Sequence, residues 1–102
     1  RKMKLSIIMN ESGEKLYPVC SWSKNQHKIR NAYVKSQNNL WEAFQNGTND
    51  DYEKALKVDK LITHLSEVFD YGIKVKGIVY ATYRERQAIK SIIARYDATH
   101  KY

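Results

Sequence analysis

The most constraining feature of the sequence is an unbroken amphipathic pattern between Asp50 and Gly72. Apolar residues recur there at intervals of three and four, which predicts one long α-helix with a single buried face. Asp50 and Glu53 have the spacing of a capping box and predict the start of this helix, and Gly72 predicts its end. Such a helix cannot bury its apolar face alone, so the rest of the chain must supply a second layer.

Two further segments have helical periodicity. From Ser23 to Asn46 the apolar residues fall on one stripe, and Gly47 predicts the end of the helix. Residues 35–39 are weak helix formers, so Ser36 could instead cap a shorter helix from Gln37, which would leave residues 27–35 extended. The last helix follows Thr82, which forms a capping box with Glu85.

Three segments are predicted to be β-strands. Lys4–Asn10 and Lys15–Trp22 flank a turn that contains Gly13, and together they predict a hairpin. Pro18 lacks an N–H group, so the second strand should lie at a sheet edge. Ile73–Thr82 predicts a third strand, whose later residues form a continuous apolar run and should therefore occupy a central position in the sheet. The sequence therefore predicts one α+β domain over residues 1–102, with two layers, the order β-β-α-α-β-α and a three-stranded antiparallel sheet covered by helices.

Composition narrows the class of protein. A chain of 102 residues fits one domain. It has no apolar run near the roughly 18 residues of a membrane span and no recognisable secretory signal, which predicts a cytoplasmic location without membrane attachment. Cys20 is the only cysteine, so we expect no disulfide within the chain. The three histidines lie far from one another in the sequence and do not cluster with Cys20, so we expect no metal site and no cofactor.

No set of residues has the pattern of a known catalytic site. The acidic residues occupy turns and helix starts, where capping and solvation explain them. Cys20 and His27 are close in sequence but fall on different elements, and the glycines stand singly rather than in a phosphate loop. We therefore expect a protein that is not an enzyme.

The net charge of +7 is unevenly distributed. Residues 1–46 and residues 71–102 each have a net charge of +5, whereas residues 47–70 have a net charge of −3. A basic balance of this kind favours a polyanion or an acidic protein surface as partner. It says nothing about DNA versus RNA.

Two clusters of basic residues are the candidate binding site. Aromatic residues beside the first cluster are candidates for base stacking, as in single-strand binders. The predicted phosphate-binding residues are Lys24, Lys28, Arg30, Lys35, Arg84, Arg86, Lys90 and Arg95, and the predicted stacking residues are Trp22 and Tyr33. The sequence thus predicts a non-enzymatic nucleic-acid-binding accessory protein, and the alternative is a protein-binding inhibitor or adaptor of the kind that viruses and mobile elements encode.

Overall fold

The computed structural model describes residues 8–100. In chain order the elements are β1 (Tyr17–Ser21), α1 (Trp22–Asn46), α2 (Asn49–Tyr71), β2 (Lys74–Val75), β3 (Ile78–Ala81) and α3 (Tyr83–Thr99). The strands form one antiparallel sheet in the order β1-β3-β2. The predicted fold class, a small α+β domain with a three-stranded antiparallel sheet and covering helices, is confirmed.

The turn before β1 is confirmed, whereas residues 4–7 of the predicted first strand lie outside the described residues. Asn10 organises this turn: its carbonyl accepts from Gly13 N at 3.0 Å and its side-chain oxygen accepts from Glu14 N at 2.9 Å. Gly13 has a φ of +85°, which suits glycine. Met9 pairs with Lys15 across the turn. The returning strand ends one residue earlier than predicted, because Ser21 caps α1.

Helix α1 is continuous from Trp22 to Asn46, so the longer of the two predicted helices is correct. The polar residues in its middle do not break it, because two of their side chains bond to α2. Ser36 Oγ donates to Asp59 Oδ1 at 3.1 Å, and Gln37 Nε2 donates to the same oxygen at 2.7 Å. Side chains engaged in this way do not compete for the helix backbone.

The predicted start of α2 is wrong by two residues. Thr48, not Asp50, is the N-cap, and Asp51 completes the capping box. The Thr48 hydroxyl accepts from Asp51 N, and the Asp51 carboxylate accepts from Thr48 N, both at 3.1 Å. The predicted end at Gly72 is confirmed, since Gly72 N donates to Val68 O at 3.0 Å.

The predicted single strand Ile73–Thr82 is wrong, because the chain reverses within it. Lys76 and Gly77 have φ values of 52° and 81° and form a two-residue turn between β2 and β3. Positive φ at both positions matches the twist of a tight hairpin. The predicted central position of the later residues is confirmed, since β3 pairs with both other strands. The Thr82–Glu85 capping box at the start of α3 is also confirmed.

The hydrophobic core lies where the sheet meets the three helices. Each of β1, β3, α1, α2 and α3 contributes, and the buried apolar residues are Val19, Ile29, Leu65, Phe69, Val79, Ala81 and Ile89. None of residues 37–58 is buried. We call residues 37–58 the arm. They comprise the second part of α1, the first part of α2 and the connection between the two helices. No helix within residues 8–100 is long and apolar enough to cross a bilayer.

Candidate nucleic-acid interface

The predicted cations of α1 do not all lie on one side of the helix. Lys24, Lys28 and Lys35 are separated by four and seven residues, a spacing that places them on one stripe. Arg30 is off this stripe. It lines a different cleft, between α1 and the end of α2, together with Tyr33 and Asp70.

A groove brings the two predicted clusters together in part. Lys28 and Lys35 of α1 and Arg95 of α3 line one cavity of about 360 Å³, which we call the α1–α3 groove. Lys35 and Arg95 are exposed. The other described residues that line the groove are neutral. They include the apolar side chains of Val58, Ile62 and Ile92 and the polar side chains of Asn31, Ser36, Asn39 and Thr99.

Lys28 is only partly available for a ligand. Its Nζ lies 2.8 Å from Asp97 Oδ1, and its side chain is 19% exposed. The same ammonium lies 6.0 Å from the ring centroid of Tyr96. Tyr96 in turn packs edge-on against His27, with centroids 5.3 Å apart. Lys28 therefore ties α1 to α3 as well as lining the groove, and the exposed cations of the groove are Lys35 and Arg95.

Lys90 lies near Cys20 rather than in the groove. Burial raises the pKa of the Cys20 thiol, and the positive charges of Lys90 and Lys28 oppose that shift without cancelling it. The thiol is therefore neutral at pH 7 and a poor nucleophile. Cys20 packs against the hydrophobic core, so its environment suits a structural side chain.

Two basic residues at the start of α3 lie elsewhere. Arg86 is engaged in the fold, because its Nε donates to Pro18 O at 2.9 Å and joins α3 to β1. Arg84 is exposed and lines a second, larger cavity of about 910 Å³ between α2 and α3. We call this cavity the α2–α3 cleft. The structure thus unites Lys28, Lys35 and Arg95, and leaves Lys24, Arg30, Arg84, Arg86 and Lys90 outside the groove.

The two predicted stacking residues also lie outside the groove. Trp22 is half-buried against the core, and its Nε1 donates to Asp70 Oδ1 at 3.3 Å. The Lys74 ammonium lies 5.4 Å from its ring centroid. Tyr33 is half-buried in the cleft that Arg30 lines.

Sequence reasoning missed a pair of exposed aromatic side chains in the α2–α3 cleft. The rings of Tyr17 and Tyr83 meet edge to face, with centroids 6.1 Å apart and an interplanar angle of 78°. Tyr83 is the first residue of α3 and lies before the apolar residues that form the buried stripe of that helix. This position in the sequence could have indicated that its side chain is exposed. Tyr17 gave no such signal, because alternation on a short edge strand does not show which face is covered.

The cleft also contains an ionic contact between helices. His64 Nε2 of α2 lies 2.7 Å from Glu85 Oε2 of α3, while Glu85 Oε1 accepts from Thr82 N at 3.0 Å. Partial burial alone would raise the pKa of Glu85, but the hydrogen bonds from His64 and Thr82 outweigh it and lower that pKa. Within residues 8–100 no three metal-binding side chains converge.

Comparison with other proteins assigns no relative. No family model, no curated protein and no solved structure matches the chain.

Proposed function

We propose that this protein binds nucleic acid without catalysis and contacts phosphates at the α1–α3 groove. The observation that carries the proposal is the meeting of Lys28, Lys35 and Arg95, from two distant segments, around a cavity with no carboxylate among its described lining residues. The net charge of +7 adds a long-range attraction for a polyanion.

Each groove cation has a distinct part in this proposal. Arg95 presents a planar guanidinium that can donate two parallel hydrogen bonds to one phosphate, and Lys35 supplies a point charge on the opposite helix. Lys28 is already paired with Asp97, so it contributes less. The amide side chains of Asn31 and Asn39 can donate to further phosphate oxygens.

The test is binding of a labelled 15-nucleotide dT strand and a 15-base-pair duplex between about 50 and 200 mM salt. Because two phosphate contacts are removed, Lys35→Glu with Arg95→Glu should weaken binding to both and make the negative slope of log K against log salt shallower by about two. The matched control reverses the charges of Lys57 and Lys60, which are exposed on α2 and do not line the groove. If the control weakens binding as much as the groove variant, net charge alone is responsible and the proposal fails.

One observation favours a protein partner as the second candidate. The groove contains aliphatic side chains, and Val58 and the neighbouring Leu61 are 54% and 51% exposed. An apolar surface with a basic rim suits an acidic amphipathic helix. A synthetic helix of glutamate and leucine is the probe, and tighter binding of this peptide than of dT15 at equal salt would select the protein-binding function.

A further inference from the structure

We propose that the α2–α3 cleft accepts an unpaired base of single-stranded nucleic acid, with the ring of Tyr83 as its stacking platform. This inference rests on the proposed function and names its substrate class. In it, the cleft binds a base of the strand whose phosphates occupy the α1–α3 groove.

The exposure of Tyr83 is the first support. Its side chain is 60% exposed, and it stands at the first position of α3, where it adds nothing to the buried stripe of the helix. The edge-to-face contact with Tyr17 orients the ring. An oriented, exposed aromatic ring is what base stacking requires, and any base can use it.

The charges around Tyr83 are the second support. Lys15 and Arg84 are exposed and line the same cleft. The two carboxylates among the described residues of the cleft bond to groups other than these cations: Glu85 bonds to His64 and Thr82, and Glu14 accepts from Asn10 Nδ2 at 3.0 Å. No ion pair engages Lys15 or Arg84 among the described residues. These cations are therefore available to the phosphates beside a stacked base.

The cleft and the groove adjoin along two helices. On α3, Arg84 and Ala88 line the cleft and Ile92 and Arg95 line the groove. Arg84 and Arg95 are eleven residues apart, so they lie on one face of α3 at a distance of about 16 Å along its axis. On α2, Leu61 and Leu65 line the cleft and Val58 and Ile62 line the groove. A strand of a few nucleotides can therefore reach both.

Stacking distinguishes single strands from duplexes. In a duplex the faces of each base are covered by its neighbours, so Tyr83 can take up a base only from an unpaired strand. Phosphate contacts alone lack this preference.

The test compares Tyr83→Ala with Tyr83→Phe on the dT15 strand and the 15-base-pair duplex. The alanine variant should bind dT15 about tenfold or more weakly, which is the loss expected for one stacked base, with duplex affinity and salt slope unchanged. The phenylalanine variant should retain binding. Tyr71→Ala is the matched control, because Tyr71 is 86% exposed and lines another cleft.

The outcomes separate this inference from the proposed function. If Tyr83→Ala binds dT15 like the wild type while the Lys35 and Arg95 variant does not, stacking is overturned and phosphate binding stands. If neither variant affects binding, both are overturned. A Tyr83→Trp variant provides a second measurement, because its added fluorescence, relative to the wild type, should be quenched by dT15 and not by the duplex. Unquenched fluorescence with dT15 bound overturns the inference.

Discussion

The carboxylate of Glu85 joins three features at the start of α3. It caps the helix through Thr82 N, it lies within hydrogen-bond distance of His64 on α2, and its negative charge is near the positive end of the helix dipole. Each contact favours the ionised form, in agreement with its lowered pKa.

The lowered pKa predicts how stability depends on pH. Ionised Glu85 stabilises the fold at pH values above its unfolded pKa, and this contribution is lost as the pH falls through the lower, folded pKa. Glu85→Gln keeps the capping hydrogen bonds and removes the charge. The variant should therefore lower the free energy of unfolding by about 0.3–1 kcal/mol at pH 7 and by progressively less at acidic pH. Thermal melts of the wild type and the variant from pH 7 to pH 3 measure this difference in stability. Glu67→Gln, on the exposed side of α2, is the control. A difference between wild type and Glu85→Gln that stays constant with pH would contradict the prediction.

The capping residues show how far local sequence determines structure. Thr82 with Glu85 was predicted because the pattern is complete within four residues. Before α2, the pairs Thr48–Asp51 and Asp50–Glu53 both have the required spacing, and the side-chain pattern alone does not choose between them. The structure selects Thr48, which is extended, with φ −82° and ψ 172°.

At the scale of elements, the continuity of α1 depends on a residue far away in the sequence. Asp59 is buried and accepts hydrogen bonds from both Ser36 and Gln37. The weak segment of α1 is therefore stabilised by α2, which the local sequence could not reveal. The β2–β3 hairpin was missed for a different reason: the apolar run continues past a Lys-Gly pair, which is a weaker turn signal than Asn-Gly.

Replacing the buried carboxylate tests this contact. Asp59→Ala removes the acceptor shared by Ser36 and Gln37 and should lower the free energy of unfolding by about 1–3 kcal/mol. Asp50→Ala is the control, since Asp50 pairs with Lys54 at 3.3 Å on the surface and should cost about 0–1 kcal/mol. Urea denaturation measures the free energy of unfolding of both variants. Equal losses of stability would show that the buried contact of Asp59 stabilises the fold no more than a surface ion pair does.

For the whole molecule, the sequence shows the net positive charge and the two basic segments, but it predicts only part of how those segments are arranged in space. Helical spacing separates Arg30 from Lys24, Lys28 and Lys35, and this could have been read in advance. The meeting of Lys35 with Arg95 could not, because it depends on how α3 crosses the α1–α2 pair. The use of Arg86 as a link to β1 likewise depends on tertiary packing.

The absence of buried residues between positions 37 and 58 has a consequence for dynamics. Apart from Asn39 and Val58, which line the α1–α3 groove, the arm is a pair of helices with no buried residue, so it should open while the core remains folded. Amide protons there should exchange with deuterium through low-energy local fluctuations, whereas those of Leu65, Phe69 and Val79 should exchange only on global unfolding. Native-state exchange with increasing urea separates these two regimes, and uniform protection would mean that the protein unfolds as one cooperative unit.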